Sequence, residues 1–138
     1  AHAMAQGDTI STGKYQYRFI RTPQLPHGWD AGVLFEESNK TLFCSDILHQ
    51  NGDLKALTDT DVLSLHKKSL LEFEQGPLMG YTPYTKRTGE IIKNLAELNP
   101  NTLATMHGSS FNGNCQETLL GLDTVLREVW EKEGTKTQ

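Results

Sequence analysis

The first third of the chain alternates, and the rest mostly winds. Tyr15-Gln16-Tyr17-Arg18-Phe19-Ile20 switches between aromatic and polar residues until Pro23 and Pro26 interrupt it, the period-two pattern of a half-buried strand. Thr9-Ile10 before it reads as a short edge strand. Gly32-Val33-Leu34-Phe35 and Thr41-Leu42-Phe43-Cys44 flank Glu36-Glu37-Ser38-Asn39-Lys40, whose turn residues predict a hairpin, and both arms are apolar enough for a covered sheet. From Asp59 the period lengthens. Val62, Leu65, Ser69 and Phe73 recur at helical spacing until Gly76-Pro77 closes the segment. A second helix is expected from Thr82 as cap and Pro83 at the first helical position, with Ile91, Leu95 and Leu98 as its stripe and Asn99-Pro100 as its end. Thr102 to Met106 is a short strand. A last helix, from Cys115 to Glu133, places Leu119, Leu122, Leu126 and Val129 on one face and stops at Gly134.

Strand, hairpin, two helices, strand, helix is an α/β order that suits a mixed sheet with about three helices on one face. At 138 residues the chain is of single-domain size and buries about two-thirds of its unfolded surface on folding. Residues 1–6 read as a cloning scar or disordered start, 7–134 as the folded domain and 135–138 as a polar tail. The scar reading removes His2 from consideration as a ligand.

Charge and composition narrow the function. An apolar fraction of 36% and a charged fraction of 22% belong to a folded protein. A net charge of −4 without a basic run argues against a nucleic-acid or anionic-membrane partner, and no stretch approaches the roughly 18 apolar residues of a membrane span. A cytoplasmic location is the expectation, and Cys44 in a strand and Cys115 at a helix start are then expected to be isolated thiols and not a disulfide.

Three residues stand where predicted strands run out. They are His27 in Pro26-His27-Gly28-Trp29-Asp30, Asp46 in Cys44-Ser45-Asp46, and His107 in Met106-His107-Gly108-Ser109-Ser110. Two imidazoles and a carboxylate suit iron, zinc or manganese, and strand ends are where function often sits. Each has a plainer reading as well: His27 or His107 as a loop imidazole bonded to backbone, and Asp46 as a turn or helix cap near Ile47. Trp29 and Asp30 read as packing or supporting residues, and Cys44 as a small core residue. His49 follows the Asp46 loop closely enough to face the site, but it and His66 are read as structural, His66 as a surface or core-edge imidazole. Ser109 and Ser110 lack the general-base spacing of a nucleophile.

The stretches Thr22-Pro-Gln-Leu-Pro-His-Gly-Trp-Asp-Ala-Gly32, Thr41-Leu-Phe-Cys-Ser-Asp46 and Ala104-Thr-Met-His-Gly-Ser-Ser-Phe111 together resemble the carboxy-terminal half of a metallo-β-lactamase-fold domain. Among its branches they are most similar to the flavodiiron and oxygen-binding di-iron proteins. The resemblance implies half of an αββα sandwich, with His27 as a first-metal ligand, Asp46 as the bridge and His107 as a second-metal ligand. It also implies an amino-terminal His-x-His/Glu-x-Asp-His motif, which these residues do not contain. Activity of hydrolase or di-iron oxygen-binding type is therefore expected only with a complementary half, supplied by a second copy, a separate polypeptide or a longer parent, and the chain alone is expected to be inactive. The bare sheet face of a half-sandwich predicts a homodimer. A non-catalytic dimerising module derived from the same fold is the alternative.

Overall fold

The alternating segments pair edge to edge as the pattern requires. The computed structural model describes residues 3–134, except the side chains of 133 and 134. In it β1 (Thr9–Thr12), β2 (Tyr15–Arg21), β3 (Gly32–Glu36) and β4 (Thr41–Ser45) form an antiparallel meander. The β3–β4 turn is closed by the Glu36 carboxylate, which accepts the amides of Ser38 at 2.7 Å and Asn39 at 2.8 Å. After a short β5 (Leu57–Thr58), helices α1 (Leu63–Phe73) and α2 (Thr88–Glu97) carry the chain to β6 (Thr102–Thr105), which lies parallel to β4. Then β7 (Ser110–Phe111) turns back along β6, and α3 (Cys115–Gly134) packs on both α1 and α2. The strand order is β1-β2-β3-β4-β6-β7-β5, one mixed sheet of seven strands.

The helices cover the sheet face carrying Val33, Phe35, Leu42, Cys44 and Leu103, which are buried with Ile92, Leu95, Leu119, Leu122 and Leu126. Strand alternation sends Ile10, Tyr17, Phe19, Leu34, Phe43 and Ala104 to the opposite face. There the Tyr17 and Phe43 rings lie 6.0 Å apart, and Phe43 is 42% exposed. Among the described residues no helix is long and apolar enough to cross a membrane.

Several local expectations need correction. Val62, just before α1, and Ser69 are buried as expected, but the other core positions of α1 are His66 and Leu70, and the expected Leu65 is 37% exposed. His66 is thus a core residue, 2% exposed, whose Nδ1 donates to the His49 carbonyl at 2.7 Å. Helix α2 begins at Thr88, not Pro83. The Thr85 amide donates to Thr88 Oγ1 and the Thr85 hydroxyl accepts the Arg87 amide, which holds the segment in a turn, while Tyr84 is tied to α3 through Asp123. Strands β5 and β7, of two residues each, are too short to show an alternation. Trp29 and Asp30 are surface residues and not part of the core: Trp29 is 73% exposed, and Asp30 is exposed too. Of the expected scar or disordered start at 1–6, residues 1–2 lie outside the described residues, as does the tail at 135–138, while the Ala5 amide donates to the Asp8 carboxylate and the Gln6 side chain accepts the Arg21 amide.

The loop after β4 and the loop after β6 are joined by one side chain. Gln50, buried, accepts the Ser109 amide at 3.0 Å through Oε1 and donates through Nε2 to the Leu48 carbonyl at 2.6 Å. Its own amide donates to the His107 carbonyl at 3.0 Å, and the Met106 amide donates to Ser45. Gly108 has φ +105°, and a Cβ there would stand 2.8 Å from the Gln50 Cβ. Gly108→Ala is therefore expected to destabilise the protein by about 1–3 kcal/mol, through both the left-handed backbone and the clash; an unchanged melting temperature would show that the two loops are not clamped.

Burial pulls the His66 pKa down from 6.5 to about 4, and the charge of His49 adds to the fall while the bond to the His49 carbonyl opposes it. Between those two values the unfolded chain binds a proton that the folded chain refuses, so stability falls as the pH is lowered from 6.5 towards 4 and no further below it. The loss amounts to roughly 3 kcal/mol at most. Urea unfolding in a chelating buffer at pH 7 and pH 4.5 checks this: His66→Gln is expected to flatten the difference between the two, and equal pH dependence in both proteins would contradict it.

Candidate metal centre

Parallel pairing of β4 with β6 brings the carboxyl ends of two strands side by side, the place where ligands collect in sheets of this kind. Asp46 leaves β4 in a tight turn, flanked by Ser45 at φ +51° and Leu48 at φ +66°, in which the His49 amide donates to the Asp46 carbonyl at 3.1 Å. His107 leaves β6. His27 comes from the loop between β2 and β3, which is anchored by buried Thr22 and Leu25: the Leu25 amide donates to the Thr22 carbonyl at 2.7 Å and the Thr22 hydroxyl to the Leu25 carbonyl at 2.6 Å. Tyr81, from the segment between α1 and α2, completes the group.

These residues meet on the Asp46 carboxylate. On one side Oδ1 receives a 2.5 Å hydrogen bond from His107 Nδ1, with His49 Nδ1 at 3.9 Å. On the other side Oδ2 accepts the Tyr81 hydroxyl at 2.9 Å, with His27 Nε2 at 3.8 Å. The separations of 3.8 and 3.9 Å are too long for hydrogen bonds. Aromatic rings close the floor: His27 stacks at a tilt on Tyr81 at 4.5 Å, Phe73 touches both Tyr81 and His49 at 5.3 and 5.1 Å, and the His49 and His107 rings stand 5.3 Å apart. The Asp46 and His49 side chains are 12% and 15% exposed, those of His27 and His107 47% and 57%. The centre is thus a rim with a buried carboxylate beneath two reachable imidazoles.

Burial alone would push the Asp46 pKa up, but the hydrogen bonds from His107 and Tyr81 and the nearby imidazole charges outweigh it and hold the carboxyl below its ordinary value. Asp46 is therefore a carboxylate throughout the neutral range. Burial, together with the bond to that carboxylate and its charge, pushes Tyr81 up to about 12, so the phenol stays protonated and keeps donating. His49 Nδ1 is buried and makes no hydrogen bond among the described residues, a defect that costs about 1–3 kcal/mol when nothing answers it.

One ligand atom each from Asp46, His49 and His107 lies within 4.8 Å of the other two, which fits a single cation of the zinc, iron or manganese kind. The described residues offer no donor set for a second, complete site around Asp46. The three residues singled out in the sequence do converge. Two more, His49 and Tyr81, were not read as part of the site. His49 offers the weak signal of lying three residues after Asp46 in a turn, and Tyr81 offers none. Ser109 is buried and serves the Gln50 clamp, with no catalytic partner. A groove of about 870 Å³ lies elsewhere, lined by Arg21, Trp29, Lys86, Arg87 and Glu90 among others and by none of the Asp46 group. The Asp46 rim is therefore apart from that groove.

No protein-family model and no curated protein matches the chain. Solved structures do. Rubredoxin oxygen:oxidoreductase from the anaerobe Desulfovibrio gigas superposes with a TM-score of 0.65 at 22% identity over 93% of this chain and 31% of its own. The chemotaxis sensor ODP from T. denticola, in its apo state, gives 0.61 at 20% over 83% and 46%. The flavodiiron protein from Giardia intestinalis gives 0.62 at 18% over 91% and 30%. The chain spans about a third to a half of the length of these proteins. The architecture carrying the Asp46 rim is accordingly the metallo-β-lactamase fold of the flavodiiron proteins, present here over part of its length.

Proposed function

We propose that this chain is the metal-holding half of a metallo-β-lactamase-like domain, with His27, Asp46 and His107 as ligands and Asp46 placed to bridge two ions. The observation that carries the reading is the division of labour on one carboxylate: His107 approaches Oδ1 at 2.5 Å and His27 approaches Oδ2 at 3.8 Å, one imidazole to each oxygen. Iron, zinc or manganese matches these donors. Such an ion, when bound, supplies an electrophilic centre with an open position for water or oxygen. The protein's own part is to hold the carboxylate ionised, to fix it with Tyr81 and to keep both exposed imidazoles within reach of incoming ligands. Hydrolase or di-iron oxygen-binding activity then depends on further ligands from a complementary half, carried by another copy, another polypeptide or more of the same protein. The free, buried thiols of Cys44 and Cys115 suit a reducing compartment such as the cytoplasm.

The open sheet face favours a second reading, in which the fold serves as a dimerising module without chemistry. Ile10, Tyr17, Phe19, Leu34 and Phe43 form an aromatic and aliphatic surface that a second copy would cover by stacking sheet on sheet. A dimer is common to both readings, and metal binding separates them.

Elemental analysis after exposure to iron, zinc and manganese is expected to find stoichiometric metal, lost in Asp46→Asn and His107→Ala. The metal-free melting temperatures of these variants should stay within a few degrees of the parent, because the residues lie at a rim. Protein that takes up none of the three metals would leave only the dimerising reading. Light scattering is expected to give twice the chain mass for the parent protein and the single mass for Phe43→Lys, which sets a charge in the middle of the open face. A monomeric parent would remove the dimer from both readings.

A further inference from the structure

The two sides of the Asp46 carboxylate are not equally furnished. The Oδ2 side has one imidazole, His27, and a phenol that stays protonated. The Oδ1 side has two imidazoles, and the second of them, His49, carries the marks of a ligand.

The first mark is its ring orientation. Asn51 Nδ2 donates to the Glu72 carboxylate at 2.9 Å, an acceptor only, which turns the Asn51 carbonyl oxygen towards His49. His49 Nε2 lies 2.7 Å from that oxygen and must donate to it. In the neutral ring the proton is then on Nε2, and Nδ1 presents a bare lone pair towards Asp46 Oδ1, 3.9 Å away. An acceptor facing an acceptor in a buried place is repulsive unless a cation stands between them. A metal-binding imidazole has this arrangement, its far nitrogen donating to an oxygen that fixes the tautomer.

The second mark is the anchorage of the turn. The Asn51 amide donates to Ser69 Oγ on α1 at 2.9 Å, and His66, also on α1, holds the His49 carbonyl at 2.7 Å. Helix α1 thus fixes His49 at its backbone and, through Glu72 and Asn51, at its ring. The third mark is spacing. Ligand atoms on a tetrahedral ion with bonds of about 2.0–2.1 Å stand about 3.3 Å apart. The 2.5 and 3.9 Å separations on Oδ1 fall on either side of that value, and the widest pair is within 4.8 Å. A cation there would take the place of the proton that His107 Nδ1 donates to Oδ1, the proton leaving to solvent, and rotations of His49 and His107 would close the difference.

We propose that Asp46, His49 and His107 hold one divalent cation on the Oδ1 side of Asp46, independently of His27, with Asn51 and Glu72 as positioning residues for His49. This rests on the metal reading above and adds a ligand to it. Its consequence is that one ion binds to residues of this chain alone, whereas an ion on the Oδ2 side needs donors from elsewhere.

Titration of metal-free protein with Co²⁺, followed by its visible absorption and by competition with Zn²⁺ and a chelator, tests this. One site per chain is expected. His49→Ala should weaken it by more than about 100-fold, Asn51→Ala by about 10–100-fold, and His27→Ala by no more than about threefold. The Co²⁺ spectrum of His27→Ala should match that of the parent, a readout that a merely structural role for His49 would not produce. His49→Gln, which keeps a donor for Asn51 but supplies no imidazole, serves if the alanine variant fails to fold, and should lose the site equally. Binding that survives in both His49 variants, or that falls as far in His27→Ala as in His49→Ala, overturns the proposal while leaving a metal centre at Asp46. A parent protein that binds neither Co²⁺ nor Zn²⁺ overturns the metal reading with it.

Discussion

A buried carboxylate has to be answered, and the Asp46 carboxylate organises the functional end of this molecule for that reason. It is held ionised below a rim of imidazoles by hydrogen bonds from His107 and Tyr81 and by the nearby imidazole charges, which more than offset its burial. The sheet makes this possible. Register along β4 and β6 sets Leu42 against Leu103 and Phe43 against Ala104, so the two strands end together and Asp46 and His107 emerge as neighbours although 61 residues separate them. Hydrophobic burial of β4 and β6 against the helices therefore fixes the distance between two polar groups that lie outside the core.

What the sheet sets coarsely, the loops refine. Gln50 ties the Asp46 turn to the His107 turn through bonds to both, and Gly108 leaves room for it. Helix α1 reaches the same turn from below through His66, Ser69 and Glu72. A buried neutral histidine, a buried glutamine and two non-glycine residues at positive φ within five positions are costly choices for a core. They are understandable if the position of His49 and His107 matters more than the last increments of stability.

Much of this was legible in the sequence, for identifiable reasons. Asp46 and His107 stood out because each follows an apolar run beside a turn residue, and a strand end can be read from such a break without knowing its partner; His27 was expected at a strand end too but lies within the loop between β2 and β3. The hairpin of β3 and β4 and the stripe of α3 were equally plain, since Leu119, Leu122, Leu126 and Val129 have a period that admits one face only. His66 was misplaced because a polar residue at a helical core position is invisible to a hydrophobic pattern, which chose Leu65 one step away. The start of α2 was misread because Thr82-Pro83 offers a cap that tertiary bonds at Tyr84 and Thr85 override. His49 and Tyr81 join the site through a turn closed by backbone conformation and through a segment without regular structure, and neither leaves a period or a motif.

The resulting picture is an asymmetric carboxylate: one oxygen faces two imidazoles, His107 and His49, and the other accepts the Tyr81 hydroxyl and faces a single imidazole, His27. Anomalous diffraction from crystals soaked in Zn²⁺, with data on both sides of the zinc edge, tests it directly. The account predicts one peak per chain on the Oδ1 side of Asp46, in contact with His49 and His107 and away from His27. A peak coordinated by His27 with His49 turned aside, or no peak near Asp46 at all, would contradict it.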